Sequence, residues 1–306
     1  MTEGGRGQER WVELPGRGRT WVYDIPGPTL EAPALLLVHG LGVTSHLTWG
    51  PSYAALSRHF RVIALDLPGH GRGGRPRRRF RLEACADQAM AVLDALGVSR
   101  VVVVGYSLGG TVAKLAWRRH PERVAGLVLA ATAARFGRGR RARVLRVVLL
   151  PVASVMARLR PGRLRELLIE RALFRLDRFA DPAHIAAELG GHHLPSLVQA
   201  IGAAVRFSSQ EWLGEIDVPV AVVVTAEDDR IAPRLQLALA AGIARARIFE
   251  VPGPHTACAT RPEAFVPAFV EACRHAWSAA QHGPATATCS DRASSARPST
   301  PRRART

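Results

Sequence analysis

Short apolar runs alternate with stretches of helical periodicity along most of the chain, and this alternation predicts the secondary structure. The clearest apolar runs cover residues 34–38, 62–65, 101–104, 124–130 and 220–224. Runs of this length without polar alternation are typical of strands that are buried on both faces. The pattern therefore predicts five central strands.

Stretches with apolar residues at helical spacing lie between these strands and predict the helices. They cover residues 51–59, 82–96, 108–119, 233–244 and 262–276. The first is expected to begin at its proline, because proline is well tolerated at the first position of a helix. Strands that alternate with helices form a parallel sheet covered by helices on both faces. The fold class is therefore predicted to be α/β.

Weaker strand patterns extend this sheet at both ends of the chain. Residues 10–14 and 19–25 are predicted strands, joined by the turn residues Pro15-Gly16-Arg17-Gly18. Residues 247–251 supply the last predicted strand.

The alternation stops in the middle of the chain. Residues 135–212 contain apolar and arginine-rich helical patterns but no equally clear strand. The pattern predicts a core of residues 1–134 and 213–278 that carries residues 135–212 as an inserted helical cap. Residues 279–306 have almost no large apolar side chains, so we expect a disordered basic tail.

Charge changes this picture only at the surface. The formal net charge is +17, but the excess lies in residues 72–81, 135–178 and 279–306. The rest of the chain is close to neutral, so the basicity does not predict a specific nucleic-acid site. A weak contact with an anionic membrane surface is the partner that it leaves open.

Two further features bear on where the protein works. No apolar run reaches the length of about eighteen residues that a membrane span needs, and residues 1–10 lack the apolar segment of a secretory signal. We therefore expect a cytoplasmic protein whose four cysteines are free thiols.

Ser107 is the strongest candidate for chemistry. It lies in Gly105-Tyr106-Ser107-Leu108-Gly109, directly after the apolar run 101–104 and directly before a predicted helix. In this context G-x-S-x-G is typical of a nucleophile on a tight turn, because small neighbours permit the strained backbone. A dinucleotide-binding loop would need the different pattern G-x-G-x-x-G. We predict that Ser107 is a nucleophile.

The base that would activate Ser107 is predicted by position. The histidines that follow the insertion are His255, His275 and His282. His275 falls in the last predicted helix and His282 in the tail. His255 follows the last predicted strand and can reach the carboxyl edge of the sheet. We therefore predict His255 as the base.

The acid that would orient His255 is expected in the loop after residues 220–224, where Glu227, Asp228 and Asp229 compete. We choose Asp229, because its spacing to Pro233 fits a short loop that leads into a helix. Asp228 is the close alternative.

Acyl transfer also needs N–H donors for the developing oxyanion. The backbone N–H of Leu108 is one candidate. The N–H of Leu41, in the loop after residues 34–38, is the other. His39 in the same loop is interpreted as structural. Trp49 is a candidate for the border of the substrate pocket, with packing in the core as the alternative.

Four elements in this order resemble the α/β-hydrolase fold superfamily. They are His39-Gly40-Leu41-Gly42, Asp66-Leu67-Pro68-Gly69-His70-Gly71, Gly105-Tyr106-Ser107-Leu108-Gly109-Gly110, and the pair Asp229 and His255. The resemblance covers roughly residues 20–277. It implies a mostly parallel eight-stranded sheet with helices on both faces and a helical cap over the site. Serine at position 107 argues against haloalkane dehalogenases and epoxide hydrolases, which have aspartate there.

Residues and resemblance together predict a cap-bearing serine hydrolase of the esterase/lipase kind. It would cleave carboxylic esters, with apolar acyl or aryl esters favoured, through an acyl-enzyme on Ser107. This reaction needs neither a metal nor an organic cofactor. C–C bond hydrolysis, lactone opening and cofactor-free perhydrolysis stay open as alternatives on the same residues. The complete set of serine, acid and histidine disfavours a non-catalytic binding protein of the same fold. The sequence does not indicate an oligomeric state.

Overall fold

A computed structural model describes residues 7–75, 79–136 and 190–281. The strands are β1 (Gln8–Leu14), β2 (Gly18–Ile25), β3 (Ala34–Val38), β4 (Arg61–Leu65), β5 (Val101–Tyr106), β6 (Val124–Ala130), β7 (Val220–Thr225) and β8 (Ala246–Val251). The helices are α1 (Ser45–Leu56), α2 (Leu82–Ala95), α3 (Leu108–Arg119), α4 (Leu194–Arg206), α5 (Pro233–Ala241), α6 (Ala257–Thr260) and α7 (Pro262–Gln281). Most of the predicted cap and the basic tail lie outside the described residues.

Eight strands form one sheet in the order β1-β2-β4-β3-β5-β6-β7-β8. Each neighbouring pair from β4 to β8 is parallel. The N-terminal strands β1 and β2 pair antiparallel and extend the sheet beside β4. This confirms the prediction of a mostly parallel eight-stranded α/β sheet.

The central strands are apolar throughout because helices cover both faces of the sheet. On β3, Leu36 packs in the layer of α2 and α3, whereas its neighbour Leu37 packs in the layer of α1 and α7. Both leucines are fully buried. Successive side chains of a strand point to opposite faces of the sheet. When helices cover both faces, every side chain of the strand is buried, and the strand is apolar throughout.

The start of α1 differs from the sequence prediction. The helix begins at Ser45, and Pro51 lies inside it. Thr44 caps the helix, because its Oγ1 accepts the N–H of Leu47 at 3.3 Å. Asp66, at the end of β4, accepts both the N–H and the hydroxyl of Ser45, at 2.8 Å and 2.7 Å. These contacts begin the helix before its proline, so the prediction of a start at Pro51 is wrong.

The described ends of the predicted insertion meet beside α3. Ser209 N–H donates to the carbonyl of Ala134 at 2.9 Å. Lys114 Nζ on α3 donates to the carbonyl of Ala133 at 2.7 Å and to the Ser209 hydroxyl at 3.1 Å. Lys114 is the single lysine of the chain and is fully buried. It therefore ties both segments to the helix that follows Ser107.

Burial of Lys114 makes folding depend on pH. Burial lowers the pKa of its ammonium from 10.5 to about 7, so between these values the unfolded chain binds a proton that the folded chain releases. Stability then rises with pH across this window. We expect the unfolding free energy of the wild type to gain up to about 1.4 kcal/mol per pH unit relative to Lys114→Met. Urea unfolding of both proteins at pH 7, 8 and 9 measures this. A difference in unfolding free energy between the wild type and Lys114→Met that stays constant with pH would contradict the prediction.

Candidate active site

Ser107 is the single residue between the end of β5 and the start of α3. Its backbone has φ 52° and ψ −113°, a left-handed conformation that is strained for a residue with a side chain. A Cβ on Gly105 would overlap the backbone of Gly109, and a Cβ on Gly109 would overlap the backbone of Val38. The two glycines of the G-x-S-x-G pattern are therefore required by close backbone packing around the turn.

His255 lies in the loop between β8 and α6 and reaches the serine. Its Nε2 is 3.1 Å from the Ser107 hydroxyl, and its Nδ1 is 2.7 Å from Asp228 Oδ2. An ionised carboxylate only accepts hydrogen bonds, so Nδ1 carries the proton and Nε2 accepts from the serine. The structure thus brings Ser107, His255 and Asp228 into one hydrogen-bonded series.

Asp228 is buried and surrounded by donors. Burial by itself would raise the pKa of this carboxyl, but hydrogen bonds, led by the one from His255, hold the pKa below its usual value. The further donors are the N–H groups of Arg230 and Ile231, the hydroxyl of Thr225 and the side-chain amide of Gln236. The carboxylate therefore stays ionised and fixed beside the imidazole.

The carboxylate that contacts His255 is Asp228 and not Asp229, the residue that the sequence spacing favoured. Asp229 is exposed, whereas Asp228 is 5% exposed. Asp228 Oδ1 accepts from Arg230 N at 2.9 Å and from Ile231 N at 2.7 Å. This local turn of the backbone around an aspartate side chain directs Asp228 inward and leaves Asp229 outside. Spacing to Pro233 carries no information about that turn.

The loop predicted to supply an oxyanion donor borders the nucleophile. A Cβ built on Gly40 would lie 3.5 Å from the Cβ of Ser107, so the backbone that leads into Leu41 runs against the serine. Leu108 is the first residue of α3, where helical N–H groups have no partner within the helix. The backbone just before Leu41 and the first residue of α3, Leu108, therefore lie next to Ser107.

His39 fixes the position of that loop from behind. Its Nδ1 donates to the carbonyl of Gly40 at 2.7 Å, and its Nε2 accepts the N–H of Leu67 at 2.9 Å. The ring is fully buried, and burial lowers its pKa. A neutral ring with one donor and one acceptor satisfies both contacts, which agrees with the structural interpretation of His39.

Sequence reasoning missed His192, which belongs to the described end of the predicted insertion. Its Nδ1 accepts the N–H of Gly71 at 2.9 Å, and its ring packs against that of His70 with centroids 5.6 Å apart. Burial lowers the pKa of His192 to about 4. No motif marked this residue, since the contact joins positions that are far apart in the chain.

Trp49 packs in the core. It is fully buried and stacks on Phe269 of α7, with ring centroids 5.1 Å apart. Its other ring contact is edge-on to Tyr106, at 5.8 Å. The alternative of core packing is therefore the one that the structure supports.

Two findings concern other kinds of site within residues 7–75, 79–136 and 190–281. No group of three or more histidine, cysteine or acidic side chains in these ranges could hold a metal ion. No helix there combines the length and apolar character needed to cross a bilayer. Cys85, Cys258 and Cys273 are buried free thiols, while Cys289 lies outside the described residues.

Comparison with known proteins finds relatives and similar structures that cover most of the chain. A poly(3-hydroxyalkanoate) depolymerase of Ectopseudomonas oleovorans is 31% identical over 266 residues, which are 84% of this chain and 89% of that protein. The structure of a thermophilic esterase from Thermogutta terrifontis superposes with a TM-score of 0.69 at 28% identity, covering 87% of this chain and 98% of that one. An enol-lactonase from Burkholderia xenovorans LB400 gives a TM-score of 0.65 at 25% identity, covering 86% and 98%.

Some relatives match over a shorter stretch. An uncharacterized protein of Mycobacterium tuberculosis is 37% identical over 124 residues, and the match spans about a third of that protein, 36% of its length. The family model of the α/β-hydrolase fold matches residues 33–262. This is well over half of the chain, and it includes the serine turn, the histidine loop and the acid between them. The chain belongs to the α/β-hydrolase fold family.

Proposed function

We propose that the protein is a serine hydrolase that cleaves carboxylic esters. The observation that carries the proposal is the series Ser107–His255–Asp228, with contacts of 3.1 Å and 2.7 Å. A strained turn presents the serine, and a buried carboxylate fixes the imidazole tautomer with Nε2 toward the hydroxyl. This is the arrangement that activates serine toward a carbonyl carbon.

In the proposed mechanism, His255 Nε2 takes the proton of Ser107 as the hydroxyl oxygen attacks the ester carbonyl. Asp228 stabilises the imidazolium that forms. The N–H groups of Leu41 and Leu108 donate to the oxyanion. His255 then protonates the departing alcohol, and the acyl group stays on Ser107. A water molecule, deprotonated by His255, hydrolyses the acyl-enzyme and releases the acid.

Ester substrates are supported by the similar proteins named above. One relative is named for depolymerising poly(3-hydroxyalkanoate), and one structural neighbour is an esterase. Within esters, we favour apolar acyl or aryl groups. The strongly apolar stretch that suggested this preference covers residues 144–155, outside the described residues. A small-molecule ester is thus the proposed partner of the site.

Lactone opening is the second candidate, because a structural neighbour at 25% identity is an enol-lactonase. A lactone is a cyclic ester, so the same acyl-enzyme forms and the alcohol stays attached to the acyl group. A panel of nitrophenyl esters of increasing acyl length, run beside a lactone of matched carbon number, separates the two candidates by their kcat/KM values.

Replacement of the nucleophile should abolish turnover without unfolding the protein. For Ser107→Ala we expect kcat on nitrophenyl esters to fall by about 10³-fold or more, since no other group can form the acyl-enzyme. The thermal midpoint should not fall, because alanine removes only the hydroxyl and leaves the packing around Gly105 and Gly109 unchanged. Retention of most of the activity would refute the role of Ser107.

The two neighbouring aspartates provide a matched pair of variants. Asp228→Asn should lower kcat by about 10³- to 10⁴-fold, because an amide can no longer fix the histidine tautomer or stabilise the imidazolium. Asp229→Asn makes the same chemical change one residue away on an exposed side chain, and we expect kcat within about twofold of the wild type. Steady-state kinetics on one nitrophenyl ester compares them. A larger fall of kcat in Asp229→Asn than in Asp228→Asn would show that Asp228 is not the acid.

A further inference from the structure

Two hydroxyl groups outside the Ser107–His255–Asp228 series bind the main chain of its members. Tyr106 Oη donates to the carbonyl of His255 at 2.7 Å. Thr132 Oγ1 donates to the carbonyl of Ser107 at 2.7 Å. Both side chains are buried, Thr132 completely. Neither takes part in the proton transfers described above, so their contribution would come through backbone position.

Thr132 acts at the strained turn. Ser107 and Ala131, the residue before Thr132, are the only residues other than glycine with a positive φ in the described ranges, at 52° and 47°. Such conformations persist where the surroundings hold them. The Ser107 carbonyl also accepts Gly110 N–H, at 3.0 Å. A Cβ on Gly110 would overlap the Thr132 side chain, so this glycine makes room for the threonine to reach the serine backbone.

The segment that carries Thr132 is itself fixed on both sides. Before it, Ala131 N–H donates to the carbonyl of Val223 on β7, at 3.0 Å. After it, the carbonyl of Ala133 accepts from the buried Lys114, at 2.7 Å. Thr132 therefore presents its hydroxyl from a rigid segment, and the bond it makes resists relaxation of the Ser107 backbone.

Tyr106 acts on the loop of the base. Asp228 fixes the imidazole of His255 by its Nδ1, but the ring can keep its place only if the backbone that carries it is also held. The ring of Tyr106 contacts Trp49 and Phe265 edge-on, with centroids 5.8 Å and 6.0 Å apart. Its hydroxyl is therefore presented to the His255 carbonyl by a packed side chain.

We propose that Tyr106 and Thr132 are positioning residues that together maintain the distance between Ser107 Oγ and His255 Nε2. This rests on the proposed function of the site. Because Tyr106 directly precedes Ser107 in the chain, its bond ties the loop of the base to the turn of the nucleophile. Proton transfer requires that the two atoms stay within hydrogen-bond reach, and a displacement of about 1 Å can cost about 10²-fold in rate.

The test removes each hydroxyl and keeps the rest of the side chain. For Tyr106→Phe and Thr132→Val we expect kcat on nitrophenyl acetate to fall about five- to tenfold each, as for loss of one buried hydrogen bond. KM should stay within about twofold of the wild type, since neither hydroxyl contacts the ester substrate in the proposed mechanism.

Rescue and control variants separate positioning from a general effect on the core. Thr132→Ser keeps the hydroxyl and should recover most of the lost kcat. Thr111→Val removes another fully buried hydroxyl, which has no hydrogen-bond partner within the described part of the chain. It lies on α3 close to the turn, and its kcat should match the wild type. Thermal midpoints of all variants are measured alongside, and Thr132→Ala replaces Thr132→Val if valine prevents folding.

The outcomes are distinguishable. A wild type that hydrolyses no ester overturns the proposed function itself. An active wild type with kcat unchanged in both Tyr106→Phe and Thr132→Val overturns the positioning proposal alone. Equal losses in Thr111→Val and Thr132→Val also overturn it, as does a loss that Thr132→Ser fails to recover. A fall of kcat that is confined to the two hydroxyl variants at constant KM supports it.

Discussion

The strained turn at Ser107 is the constraint on which the rest of the site depends. A parallel strand, β5, passes into a helix, α3, within the single residue Ser107, which adopts a left-handed φ of 52°. That conformation lifts the serine out of the sheet and leaves its side chain open to the carboxyl edge. This strained backbone conformation costs about 1–3 kcal/mol. The surrounding packing holds it in place and leaves room only for glycine at positions 105 and 109.

Other loops at the same edge converge on this turn. In a parallel sheet the carboxyl ends of the strands lie side by side, so loops that are distant in the chain become neighbours. The loop after β7 contributes Asp228, the loop after β8 contributes His255, and the loop after β3 runs against Ser107. Buried hydrogen bonds through His39 and Asp66 hold the last of these loops to the end of β4 and the start of α1. The site is thus positioned by the sheet and not by the loops alone.

Much of this could be predicted from the sequence where one interaction dominates. Strands such as β3 and β6 are apolar throughout because both faces are buried, and their bounds follow from composition. Ser107 and His255 are determined by motif and by chain order. Trp49, Asp228 and the start of α1 depend on contacts between remote segments or on a local turn. Local patterns do not encode the Asp66 contact to Ser45 or the backbone turn around Asp228, so the sequence favoured Pro51 as the start of the helix and Asp229 over Asp228.

We propose that the turn presents an activated serine. Mass spectrometry after reaction with a fluorophosphonate tests it most directly, because this probe phosphonylates only a serine that a neighbouring base has activated. We expect one adduct per chain, located on Ser107 within the peptide that spans β5 and α3. An unmodified protein, or an adduct on a residue other than Ser107, would show that Ser107 is not the activated nucleophile.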